Sequence, residues 1–284
     1  MVEKLTREVV ENWVISTSGW FDVKQLDTDL NLDRNAVTLS NRRVILHRLV
    51  KEGRLKRHST KEGLYRLVIG DATLVDWKNA DPGNIVDLLF PFGIEKLVTI
   101  YPKNVIVVSG TFNAGKTAFC LDFVRLNMPK HEVWYFTSEM GAEELQLRLG
   151  KFPMLGLDDW VFEARERSSG FADVVRPDAI NVIDYLEVTD SFYLVAEEIA
   201  AIWSQLQKGV AVIAIQKKQG AKLGRGAEFS AEKPRLYLSM ENNKLSIVKA
   251  KNWRIPGINP NGKTYAYSLV DGCRFCNIKE VIGD

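Results

Sequence analysis

The sequence predicts an α/β core with a mainly parallel sheet and antiparallel C-terminal strands, preceded by a small domain of helices and a hairpin. Three observations carry this. A glycine pattern, G-x-x-x-x-G-K-T, runs from Gly110 to Thr117 between a β-branched apolar run and a helical stretch. Beyond Lys96, apolar runs alternate with helical stretches, the mark of parallel strands joined by crossover helices. The first seventy residues carry an apolar set and a charge pattern of their own. A chain of 284 residues has room for both parts. The expected division is a small domain at 1–70, a linker at 71–96 and the core at 97–284.

In the small domain, Leu5, Val9, Trp13 and Val14 fall on one helical face. Gly19-Trp20-Phe21 reads as a turn and Val23–Leu30 as a second short helix. A third helix is expected from about Asn35 to Glu52, with Ile45, Leu46 and Leu49 inward and Gly53 as its stop. Leu55–His58 and Leu64–Val68 are strand-like runs joined by Ser59–Gly63. Three helices and a hairpin, with the line RLVKEGRLKRHSTKEGLYRL, resemble the winged helix-turn-helix family.

Charge adds to this. Between Arg34 and Arg66 there are ten Lys or Arg against two acidic residues, a balance of +8, whereas Glu3–Asp33 carries three against seven, or −4. A basic helix and hairpin on a polar scaffold form the electrostatic footprint of DNA binding. The expected contacts are Arg42, Arg43 and Arg48 on the third helix and Lys56 and Arg57 on the hairpin; basic residues at these positions predict phosphate contacts and reveal no sequence preference. Docking to a protein is the other reading of this domain. The connector that follows is punctuated by Asp81-Pro82-Gly83 and Pro91. Its one apolar cluster, Ile85–Phe90, fits equally a short helix on its own core or a contact with another subunit.

In the core, Asn104–Ser109, Glu132–Ser138, Ile180–Leu186 and Val210–Gln216 are the expected parallel strands. Ala118–Asn127 is the helix after the first of them. Val195, Ile199, Ile202, Trp203 and Leu206 mark an amphipathic helix before the fourth. Afterwards the pattern shortens to Leu236–Met240, Lys244–Ala250 and Thr264–Val270, with turn signals between, and reads as antiparallel.

The glycine pattern has a mechanism. Gly110 and Gly115 let the backbone of Gly110, Thr111, Phe112, Asn113, Ala114, Gly115, Lys116 and Thr117 curl so that its N–H groups face a phosphate, with the positive end of the next helix behind them. Lys116 would reach the terminal phosphates and Thr117 would offer its hydroxyl to Mg²⁺, so ATP with Mg²⁺ is the expected ligand. Asp184, at the end of a buried strand, completes the hard oxygen set for the metal. Hydrolysis also needs a group to hold the attacking water. Glu139, just past the second strand, and Glu187, three residues beyond Asp184, are the two candidates.

Taken together, the glycine loop, FTSEMGAEELQLRL, IDYLE and VIAIQ resemble the RecA superfamily of ATPases, nearest the DnaB-type replicative helicases. The likeness runs over about Leu97 to Phe275, with four motifs in the family's order. It implies that Glu139 activates water, and that Gln216 senses the γ-phosphate and couples it to DNA. It also implies that the Gly- and Lys-rich loop Lys217–Lys233 touches DNA through Lys217, Lys218, Lys222 and Arg225. VKAKNWRIPG resembles the family's K-x-R element, which reaches an adjacent subunit's nucleotide, but Lys251 and Arg254 stand three apart instead of two and either could be the finger. The chain also has the winged helix in place of the helical N-terminal domain of those helicases.

The implied function is a DNA-dependent ATPase, a motor, helicase or loader in replication or recombination, oligomeric as a ring or filament, acting on single- or double-stranded DNA. A recombinase-like filament protein and an ATP-switched DNA-binding regulator are the alternatives. Apolar content of 46% suits a sizeable core. The absence of a long apolar run, and an N-terminus without a leader pattern, argue for a cytoplasmic protein with no membrane partner. Three cysteines do not make a disulfide framework, and Cys273 and Cys276 read as ordinary thiols rather than a zinc pair.

Overall fold

The computed structural model describes residues 5–17, 19–33, 35–70, 74–153, 155–186 and 192–281. Its contacts divide the chain into two units, Met1–Ala80 and Asp81–Asp284.

In the first unit each helix starts at a side-chain cap. The Thr6 hydroxyl accepts from Val9 N ahead of α1 (Arg7–Ser16). The strand β1 (Trp20–Asp22) ends in Asp22, whose carboxylate accepts from the N–H groups of Lys24 and Gln25, both at 2.8 Å, and starts α2 (Val23–Asp29). Asn35 caps α3 (Ala36–Lys51) through Thr38 N. The hairpin β2 (Leu55–Arg57) and β3 (Leu64–Leu67) is antiparallel, and β1 joins the free side of β3 to give the order β1-β3-β2. Val10, Val14, Phe21, Leu26, Leu46 and Leu49 close the core. Trp20-Phe21 is thus strand rather than turn: Phe21 is buried, and three residues are too few to show a strand period.

The second unit begins well before Lys96. Leu88 and Phe90 are buried in its core, and the Asn127 amide clamps the backbone of Leu89, accepting from its N–H at 2.9 Å and donating to its carbonyl at 2.8 Å. Residues 81–96 therefore pack on their own unit, in irregular backbone and a 3₁₀ segment, Pro91–Lys96, rather than serving as a linker. The strand β4 (Val105–Gly110) follows, buried at every position. Then come α4 (Lys116–Asn127), β5 (Val133–Thr137), α5 (Ala142–Leu149), β6 (Glu163–Glu166), β7 (Ile180–Asp184), α6 (Phe192–Gln205) and β8 (Val210–Gln216). A helical turn, α7 (Ala227–Ser230), precedes β9 (Leu236–Glu241), β10 (Lys244–Ala250), β11 (Thr264–Val270) and β12 (Arg274–Val281).

Among the described residues the sheet order is β12-β11-β10-β9-β4-β8-β7-β5-β6. Pairing is parallel from β9 through β6 and antiparallel from β9 to β12. β9 thus belongs to the parallel core as much as to the antiparallel tail, because it lies along β4. Alternation on β4 feeds two layers: Ile106 and Val108 meet Phe119 and Phe123 of α4, while Val105 and Val107 meet Ile199 and Ile202 of α6. All four residues of β6 are exposed, so it carries no apolar run by which sequence could announce it. No helix among the described residues is long and apolar enough to cross a membrane.

Candidate nucleotide site

β4 delivers Gly110 to the sheet edge where its neighbours also end, opposite Gln216 of β8 and Met240 of β9. A Cβ on Gly110 would lie 2.7 Å from Cγ of Lys116, so the loop folds back over this position only if it is glycine. Gly115 takes the left-handed φ of 89° that turns the loop into α4. Surrounding strands hold the loop from behind. Thr111 N donates to the Met240 carbonyl at 3.3 Å, and the Tyr267 hydroxyl donates to the Ala114 carbonyl at 2.6 Å. Leu269 lies against Gly115, with Phe275 beside it. Phe112 and Asn113 stand exposed at the tip.

Lys116 is half-buried, and its Nζ donates to the carbonyls of Gly110 (3.3 Å) and Thr111 (3.1 Å) and to Oε1 of Gln216 (3.0 Å). Burial lowers the pKa of its ammonium, against the charges of Asp184 and Glu139. Asp184 is buried and accepts from the hydroxyls of Tyr135, at 2.6 Å, and Thr117. Burial pushes its carboxyl up; those two hydrogen bonds and Lys116 oppose the shift. Glu139 is exposed just beyond β5, with its charge within reach of Lys116. Glu187 lies outside the described residues.

Thus Gly110, Gly115, Lys116, Thr117, Asp184, Glu139 and Gln216 gather at one sheet edge. They fit a nucleoside triphosphate with Mg²⁺ on three counts. Gly110 leaves no room for a Cβ and Gly115 holds a left-handed φ, and a hydroxyl and a carboxylate sit side by side as hard ligands. Nε2 of Gln216 is a buried donor with no partner among the described residues, as a group awaiting an anionic acceptor would be. Tyr135 was not expected here. The one available signal was a tyrosine in an apolar strand, VWYFT, since a buried phenol needs an acceptor.

The chain after β8 departs from the open loop expected. Lys217 is buried: its Nζ donates to Ser239 Oγ and the Ala221 carbonyl, both at 2.8 Å, and pairs with Glu241 at 2.9 Å. It is an anchor tying the loop to β9, not a DNA contact, because a lysine stays buried only when fully partnered. Arg225 N bonds the Gln216 carbonyl at 2.8 Å and so closes the loop. Lys218, Lys222 and Arg225 remain exposed, and Lys218 and Arg225 line a cleft of about 540 Å³ with Phe112 and Gln216.

Lys251 and Arg254 stand exposed elsewhere. β10 runs antiparallel to β9 and ends at Ala250, opposite Leu236, so both cations follow it at the sheet edge away from the phosphate loop. β4 separates the edges by roughly 17–20 Å. Arg254 N donates to the Leu97 carbonyl at 2.9 Å, and Trp253 bridges Val98.

On the first unit, Arg43, Arg48, Lys56 and Arg57 are exposed, as DNA contacts require. Arg42 is not. It is buried in an ion pair with Asp27 that joins α3 to α2. The helix period explains the correction, since Arg42 precedes the inward Ile45, Leu46 and Leu49 by three, four and seven positions and so shares their face, whereas Arg43 is turned away from it.

Comparison with solved structures finds a KaiC-like protein of the hyperthermophilic archaeon Pyrococcus horikoshii, at 14% identity and a TM-score of 0.54. It covers 70% of this chain and all of that one. The core has a RecA-like P-loop fold. At this identity the likeness concerns fold alone. No family model matches the sequence, and no curated protein does.

Proposed function

We propose that the protein is a DNA-dependent ATPase of the RecA/DnaB type, acting as an oligomeric DNA motor or loader. The observation that carries this is Gln216, whose side chain holds Lys116 while its backbone closes the loop bearing Lys218, Lys222 and Arg225. One residue thereby touches both the phosphate-binding lysine and a cationic loop.

In this reading the loop Gly110–Thr117 binds ATP, and Thr117 and Asp184 hold Mg²⁺, which would neutralise charge on the phosphates. Glu139 orients and deprotonates water, its exposure leaving it open to solvent and its charge directed at the same edge. The transition-state cation comes from a second copy, because Lys251 and Arg254 lie at the far edge from their own loop. The first unit is a winged helix-turn-helix, supported by the order α1-β1-α2-α3-β2-β3 and the cationic face of α3 and the hairpin, and it attaches the motor to DNA.

The test is ATP turnover by the full chain with no DNA, with single strands and with duplex, at low salt. Turnover stimulated severalfold or more by either form is expected. Slow turnover indifferent to both would leave the ATP-switched regulator instead.

A further inference from the structure

We propose that α3 reads base sequence in a duplex through thymine methyl groups, an inference that rests on the DNA-binding reading of the first unit. The buried side of α3 is set by Ile45, Leu46 and Leu49. On the opposite side Val37 is 79% exposed and Val44 43% exposed. Ser40 stands exposed between them, and the 3.6-residue period brings the three into one stripe. Cations flank it. Arg43 and His47 lie on the side of the hairpin and line, with Arg57 and Lys61, a cleft of about 670 Å³. Arg48 lies on the other side, also exposed.

A helix that gripped phosphate alone would have no use for exposed valines, which are poor helix formers and gain nothing in water. Thymine offers the one apolar group on the floor of the major groove, its C5-methyl, and guanine offers arginine a paired acceptor. The stripe lies in the N-terminal half and middle of α3, the part of a recognition helix that meets base edges. A protein partner fits less well. Interface centres take large aromatic or aliphatic anchors and shed charge, whereas two valines here are ringed by cations. The geometry therefore points to duplex DNA, with thymines under Val37 and Val44 and a guanine within reach of Arg43. Seven residues of helix span about 10.5 Å, or roughly three base steps between the two thymines.

The experiment selects duplexes from a random library with the full chain, then measures affinity for the enriched site with single dT→dU replacements, which delete only the methyl. Each critical replacement should weaken binding about fourfold, the worth of one buried methyl-sized group. Val44→Ser or Val37→Ser should bind the dT and dU versions of its own position equally, while keeping wild-type affinity for unrelated duplex as proof of folding. Val44→Thr, which keeps one methyl, should retain part of the discrimination. An enriched site insensitive to dU overturns the methyl assignment. Salt-dependent binding with no enriched site overturns sequence reading but leaves DNA binding standing. No duplex binding at low salt overturns both.

Discussion

In the second unit Asp184 and Gln216 are buried and Lys116 half-buried, each held by named partners, whereas in the first unit Arg43, Arg48, Lys56 and Arg57 stand in solvent. The contrast follows from what each part would have to do. Groups that act on phosphate must be in place beforehand, so they are fixed by strand ends and hydrogen bonds, and their spacing is rigid. Cations that grip a polyanion act through long-range charge and tolerate looser placement. Two residues show that composition alone does not tell the classes apart. Arg42 and Lys217 look like surface cations in sequence, yet each is buried in an ion pair.

The largest effect should come from the edge opposite the phosphate loop. Arg254→Ala should bind ATP normally and lose about 10³–10⁵ in turnover, and Lys116→Ala should fail through weakened nucleotide binding. Mixing the two should restore part of the activity, since some interfaces then pair an intact loop with an intact finger. No recovery in mixtures shown to co-assemble would mean that Arg254 acts within its own subunit or not at all; Lys251→Ala would be the next variant to mix.

At the loop edge, Glu139→Gln should keep ATP binding and slow hydrolysis by about 10²–10⁴. Wild-type turnover in that variant would move the role to Glu187.

Arg42 and Arg43 bring the comparison inside one helix. Arg42→Ala leaves the largely covered Asp27 without its partner and should destabilise the first unit by about 3 kcal/mol in denaturant melts. Arg43→Ala should leave stability unchanged and make the log–log salt slope of DNA binding shallower by about 0.9. If the two variants exchanged phenotypes, the division between structural and recognition cations would fail.

A smaller effect is expected at Tyr135, which touches Asp184 and not the phosphate loop. Tyr135→Phe should raise the Mg²⁺ concentration needed for half-maximal turnover by about 10–100-fold while ATP binding measured without metal stays the same. An unchanged Mg²⁺ requirement would reduce Tyr135 to core packing.

The sequence by itself determined the parts whose spacing is rigid. The phosphate loop, the parallel strands β4, β5, β7 and β8, and the strand-end placement of Asp184, Glu139 and Gln216 follow from glycine positions and apolar runs, because buried strands and tight turns tolerate few residues. The helices of the first unit were legible for a similar reason, as caps and a regular apolar period mark them. Tertiary structure alone decided what depends on a distant neighbour. β6 exists because β5 offers it an edge, although all four of its residues face solvent. Residues 81–96 join the core because Asn127, some forty positions away, clamps Leu89. Arg42 and Lys217 became anchors because Asp27 and Glu241 stand where the fold brings them, and Tyr135 found its role because β7 lies beside β5. A side chain's partner is set by packing between elements, and local sequence carries no record of that.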